Sequence, residues 1–155
     1  VDKMANRVVA FERFQKISWP LQIQRIVELS RRYKKPETWV DSTGLGDPIY
    51  DDLRKQGMHV RDFRFTNKSK EHLVQKLALF IENKRIAYPP IEILLDELKS
   101  FTLKRTDAGN YRYSAPDGFH DDCVYSLALA VWPLHDKPLN ETESLPIIFK
   151  HSNFR

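Results

Sequence analysis

The chain has 155 residues, with 25 Lys+Arg against 21 Asp+Glu and a formal net charge of +4. That length suffices for one domain with its own core, and 41% hydrophobic and 12% aromatic residues argue against disorder over most of it. No apolar run approaches the ~18 residues of a spanning helix, so no membrane partner is expected. The single cysteine, Cys123, excludes an intrachain disulfide and a Cys-rich zinc module, and suits a reducing compartment.

Charge is distributed in blocks. Residues 1–40 hold nine basic and four acidic side chains, 41–60 two and four, 61–90 seven and three, and 91–125 four and seven. Basic blocks therefore alternate with acidic ones. Such a pattern permits a polyanionic partner and is also met on surfaces that are merely solvated.

Residues 7–14 read as a strand, rich in Val and Phe with polar punctuation. Ser18 then stands where a helix is capped, with Pro20 in the first turn and Trp19, Ile23, Ile26, Val27 and Tyr33 on one apolar face. Lys34-Lys35-Pro36 stops that helix, and residues 38–42 form a short strand that enters Gly44-Leu45-Gly46. Asp47-Pro48 starts a second helix ending at Gly57. Residues 58–63 make a further strand and 64–69 a polar loop. A helix follows over 70–83 with Leu73, Leu77 and Phe80 on its apolar face. After an extended piece at 85–88, residues 91–99 form a helix burying Leu94, Leu95 and Leu98. Two strands flank the turn Asp107-Ala108-Gly109, and a last helix begins near Phe119 and is halted by Pro133. Strands alternating with helices predict an α/β layer fold with parallel pairing. The polar stretch 133–155 reads as a tail, in which Leu145 to Phe149 is either a docking element or a segment packed back on its own domain.

Three carboxylates stand out by position. Asp41 closes a strand before a glycine loop, where sites form in open α/β sheets. Asp121 and Asp122 fall at the start of the last helix, whose dipole attracts negative charge. Hard oxygen ligands on two rigid elements suit Mg²⁺ or Mn²⁺; the plainer reading makes Asp121 or Asp122 a helix cap. Gly44 and Gly46 lack the Lys-Ser/Thr pair of a P-loop, which favours a tight turn over a phosphate cradle. His120 has no second histidine beside it to make a zinc site and reads as a structural or supporting residue. Lys68, Ser69 and Lys70 at a helix start suit a nucleic-acid phosphate as well as they suit a solvated cap. Lys104, Arg105 and Arg112, interleaved with Tyr111 and Tyr113, have the basic and aromatic makeup of a DNA backbone contact, although the tyrosines equally suit sheet packing.

Two motifs in order carry a resemblance. FHDDCVYSLALA at 119–130 resembles the helix signature of the nuclease domain of tailed-phage large terminase subunits, and WVDSTGLGD at 39–47 resembles that family's second acidic motif. FTNKSKEHLV at 65–74, IENKRI at 81–86 and the hairpin fall between them in the family's order, so the likeness covers residues 1–132. It implies a ribonuclease H-like mixed sheet flanked by helices, with a β-hairpin before the last helix. It also implies endonucleolytic cleavage of concatemeric double-stranded DNA by two-metal hydrolysis with Mg²⁺ or Mn²⁺. By the resemblance Asp41 is the second metal-binding acid, Asp121 the last, and Asp122 an auxiliary ligand, while Lys68 or Lys70 neutralises a phosphate. The implied partners are the portal protein, the small terminase subunit and an ATPase domain of the same polypeptide, at the procapsid in the host cytoplasm.

The family's first acid lies on a strand upstream of anything matched here. The nuclease domain, 1–132, is therefore expected to be completed by residues before Val1 that add two strands and a metal ligand. The rival expectations are a non-catalytic DNA- or portal-binding module of the same fold, a resolvase-type nuclease, and a plain interaction domain whose acids are caps.

Overall fold

The computed structural model describes residues 1–43, 46–105, 111–114 and 120–134. Along the chain run α1 (Trp19–Arg32), β1 (Thr38–Asp41), α2 (Gly46–Lys55), β2 (Val60–Phe63), α3 (Asn67–Glu82), α4 (Glu92–Ser100), β3 (Thr102–Arg105), β4 (Tyr111–Ser114) and α5 (Asp122–Val131). Among the described residues no helix is long and apolar enough to cross a membrane.

β1 and β2 pair in parallel, with Thr38 opposite Val60, Trp39 opposite Arg61, Val40 opposite Asp62 and Asp41 opposite Phe63. Side chains alternate between the two faces of a strand, and here each face serves a different core. Val40 and Val60 turn to a smaller cluster made with Val27 of α1 and Leu53 and Met58 of the α2 unit. Trp39 and Phe63 turn to the larger cluster, built from Leu73, Leu77 and Phe80 of α3, Leu94 of α4 and most of α5. The strand pair is thus a wall between two helical layers, with α5 the most deeply buried helix. Its mixed apolar run leaves only Asp122 and Ser126 exposed. β3 and β4 form an antiparallel pair, with Lys104 opposite Arg112 and Arg105 opposite Tyr111. The predicted turn at Asp107-Ala108-Gly109, the glycine loop at Gly44-Leu45 and the tail beyond Leu134 lie outside the described residues.

Several elements differ from the sequence expectation. The stretch 7–14 forms no strand; Arg7 makes isolated bridges to Asp2 and Ala87, and Val8 N–H donates to the Ala87 carbonyl at 2.8 Å. A strand needs a neighbour along its length, and among the described residues the ladder ends there. Asp2 lies in a turn, its Oδ1 accepting from Met4 N–H at 2.8 Å. Tyr33 falls beyond the end of α1 and is exposed, its hydroxyl donating to the Val9 carbonyl at 3.1 Å. Ser18 holds the N-cap position without a side-chain cap bond.

α3 starts at Asn67, three residues earlier than expected, because Thr66 and Ser69 form a capping box. Thr66 Oγ1 accepts from Ser69 N–H at 3.1 Å, and Ser69 Oγ accepts from Thr66 N–H at 2.8 Å. In α4, Leu94 is buried but Leu95 and Leu98 are only half-buried. The inward position between them is taken by Glu97, 4% exposed. Leu134, which the sequence assigns to the tail, is 3% exposed within the larger core.

Candidate metal-binding site

The carboxyl ends of β1 and β2 and the amino ends of α3 and α5 meet at one corner of the larger layer. Asp41 ends β1 on the face it shares with Trp39, the α5 side. Its Oδ1 accepts from Thr43 N–H at 2.8 Å, turning the chain away from the strand and holding the carboxylate at the exposed tip. Thr43 Oγ1 in turn accepts from Phe65 N–H at 2.8 Å, tying the Asp41 turn to the segment that leaves β2.

Aromatic rings continue the connection. Phe63, in register with Asp41, lies 5.6 Å from Phe65, whose ring lies 5.2 Å from that of Tyr125 on α5. Tyr125 N–H donates to the Asp121 carbonyl at 3.0 Å, so Asp121 lies one helical turn back toward the same corner. Asp121 occupies the N-cap position of α5 with φ −132° and ψ 13°, yet its side chain makes no cap hydrogen bond to the helix. The bland reading of Asp121 as the cap is therefore met in position and not in chemistry. Asp122, the first helical residue, and His120 before it are exposed.

Lys70 sits at this corner too, its Nζ 5.1 Å from the Phe65 ring centroid and 4.6 Å from that of Tyr125. Both rings offer their negative faces to the ammonium, which fixes a side chain that otherwise has large rotamer freedom. Lys68, two residues earlier, is exposed, and Ser69 is occupied as the capping residue, with its hydroxyl also donating to the Arg64 carbonyl at 2.9 Å. Lys104, Arg105 and Arg112 lie on the β3–β4 ladder, Lys104 and Arg112 as a directly opposed pair, and β4 packs against α3.

Two residues that sequence reasoning passed over shape the site. Glu97 Oε2 accepts from Cys123 N–H at 2.7 Å and from Val124 N–H at 3.3 Å, across 26 and 27 residues of chain. Lys76 Nζ reaches the other end of α5 and donates to the carbonyls of Trp132 at 2.7 Å and Leu134 at 2.8 Å. The available signal for Glu97 was an acid three residues after Leu94, inside an apolar helical stripe. Burial, and then a hydrogen bond to Glu97, push the Cys123 thiol up from its ordinary 9.0 to about 11. A raised folded-state value favours the folded state below the ordinary value, and that contribution is lost as pH rises through the folded one. Wild type should accordingly lose more urea stability than Cys123→Ala between pH 9 and pH 11, a comparison that cancels other titrating groups. Equal losses would contradict the buried thiol.

Among the described residues no three His, Cys, Asp or Glu side chains gather into one metal-holding group. The donors at the corner are nevertheless hard carboxylate oxygens, at least partly open to solvent, on a strand end and a helix start. They fit a hard divalent cation in kind, as part of a ligand set.

Residues 1–132 match the family described as the terminase RNaseH-like domain. The chain belongs to that family. This terminase domain is 36% identical over 131 residues to the terminase large subunit of Thermus virus P23-45, covering 84% of the chain and 27% of that protein. It thus spans about a quarter of the length of the curated relatives it matches. Crystal structures of the large terminase nuclease of thermophilic phage G20c, one with magnesium and one with cobalt bound, each superpose with a TM-score of 0.82 at 33% identity. Both alignments cover 87% of this chain and 72% of the other. The ribonuclease H-like α/β fold expected from the motifs is therefore the fold of this terminase domain.

Proposed function

We propose that this terminase domain is the nuclease of a viral genome-packaging large subunit, cutting concatemeric double-stranded DNA by divalent-metal hydrolysis of phosphodiester bonds. The observation that supports the reading is the run of contacts from the Asp41 turn to the start of α5, through the Thr43–Phe65 hydrogen bond and the Phe63, Phe65 and Tyr125 rings. The magnesium and cobalt held by the G20c nuclease support a divalent ion there.

Asp41 and Asp121 hold the ions, with Asp122 as an auxiliary ligand. A further carboxylate completes the ligand set. Two bound ions, Mg²⁺ or Mn²⁺, supply an activated water and neutralise charge on the leaving oxygen. The protein's own part is placement. Lys70, steadied on two rings, and exposed Lys68 meet backbone phosphates, while Lys104, Arg105 and Arg112 extend the basic track along the hairpin. His120 supports the start of α5. The partners are duplex DNA, a portal protein, a small terminase subunit and an ATPase domain of the same polypeptide, assembled at the procapsid in the host cytoplasm.

Crystals soaked in Mn²⁺ and measured at the manganese edge test this reading. An anomalous peak bridging the carboxylates of Asp41 and Asp121 is expected. A blank map with the two acids apart would remove the nuclease and leave a DNA- or portal-binding module.

A further inference from the structure

Helix α5 is gripped at both ends by charged side chains from other helices. At its start Glu97 of α4 accepts two backbone N–H groups; at its finish Lys76 of α3 donates to two carbonyls. Each charge has the sign that the helix dipole attracts at that end. The orphan N–H groups of a first turn are ordinarily satisfied by the N-cap side chain. Here the N-cap residue is Asp121, and its side chain does not take that part.

Glu97 is the only acid buried among the described residues, and its Oε1 has no hydrogen-bond partner among them. Burying a carboxylate with one oxygen unmatched opposes folding, whereas a neutral or apolar residue at this position would escape that cost. Its placement instead serves the first turn of α5. Cys123 and Val124, the residues whose N–H groups it holds, directly follow Asp121 and Asp122.

We infer that Glu97 is a positioning residue for the metal site. It caps α5 in place of Asp121, so that the Asp121 side chain is not the helix cap and the first turn is locked at a fixed height relative to Asp41. This inference rests on the metal-site reading above. It assigns to α4, an element with no proposed ligand, control over how well the ion is held.

The test is Mn²⁺ affinity of the full-length folded protein, read by electron paramagnetic resonance of unbound Mn²⁺, for four variants beside wild type. Glu97→Gln removes the charge from the cap, and Glu97→Asp keeps the charge but is one methylene too short to reach both N–H groups. Each should weaken Mn²⁺ binding by about tenfold, the lower range for residues that orient metal ligands. Lys76→Met loosens the other end of α5 and serves as the stability control, with affinity expected within about twofold of wild type. Glu97→Asp at wild-type affinity would show that charge alone acts and overturn the positioning role. So would Glu97→Gln weakening binding no more than Lys76→Met does. Asp121→Asn separates the two ideas. If it loses Mn²⁺ while the Glu97 variants keep it, the inference fails and the metal site stands; if it too binds as wild type, the metal-site reading itself has failed.

Discussion

Full-length protein carrying Asp121→Asn is expected to fold and bind DNA as wild type does while cleaving plasmid DNA about a thousandfold more slowly. The size follows from the several kcal/mol of charge stabilisation that a held divalent ion contributes to the transition state, at about 1.4 kcal/mol per tenfold. Asparagine keeps the shape of the side chain and one carbonyl oxygen, and loses the charge that attracts the ion. The fold should not suffer, because the first turn of α5 is capped by Glu97 and not by Asp121. An aspartate that capped its own helix would instead show a stability loss of about 1 kcal/mol on substitution. Plasmid cleavage and thermal unfolding measured on one preparation therefore read two parts of the argument at once. Unaltered cleavage would take Asp121 out of the site.

Phe80→Ala should destabilise the domain by about 3–5 kcal/mol, the range for an aromatic side chain removed from a packed core. Phe80 is 0% exposed on the inward face of α3, in the cluster that also holds Leu73, Leu77 and Leu94. Its ring also carries Lys76 Nζ at 5.6 Å from the centroid, so the substitution loosens the cation that holds the end of α5. A chain of this length shifts its melting temperature by roughly 2–4 °C per kcal/mol, so a fall of about 10 °C is expected by calorimetry. Leu79, one residue earlier and 57% exposed, is the natural contrast. Leu79→Ala should move the melting temperature far less, and equal effects would mean that the inward face of α3 has been misassigned.

Much of this architecture was legible because it rests on short-range rules. The period of Leu73, Leu77 and Phe80 marked the buried face of α3, and Gly57 marked the end of α2 by its left-handed φ of 73°. Asp41 and Asp121 stood out through two motifs, and the run of ring contacts that links their two elements is visible only in the fold. What the sequence hid is long-range. The stretch 7–14 has strand composition, but a strand exists only where another chain segment lies alongside, and no local rule supplies that neighbour. Glu97 was passed over, since an acid is ordinarily exposed. Its burial depends on two N–H groups that arrive from 26 and 27 residues further along. Ser69 suited a phosphate contact and a helix cap alike, and its hydroxyl makes the cap, through a reciprocal bond with Thr66.

The two-sided strand β1 has a mechanical meaning for Asp41. Val40 is anchored in one core and Trp39, its neighbour, in the other, so the strand behaves as a beam clamped from above and below. Asp41 is the free tip of that beam, one residue past the grip. A carboxylate mounted this way moves with neither helical layer alone, and loosening α1 and α2 leaves the Trp39 clamp in place. A carboxylate on a loop would drift whenever the chain around it relaxed; this one is held in alignment by the stiffness of the whole wall.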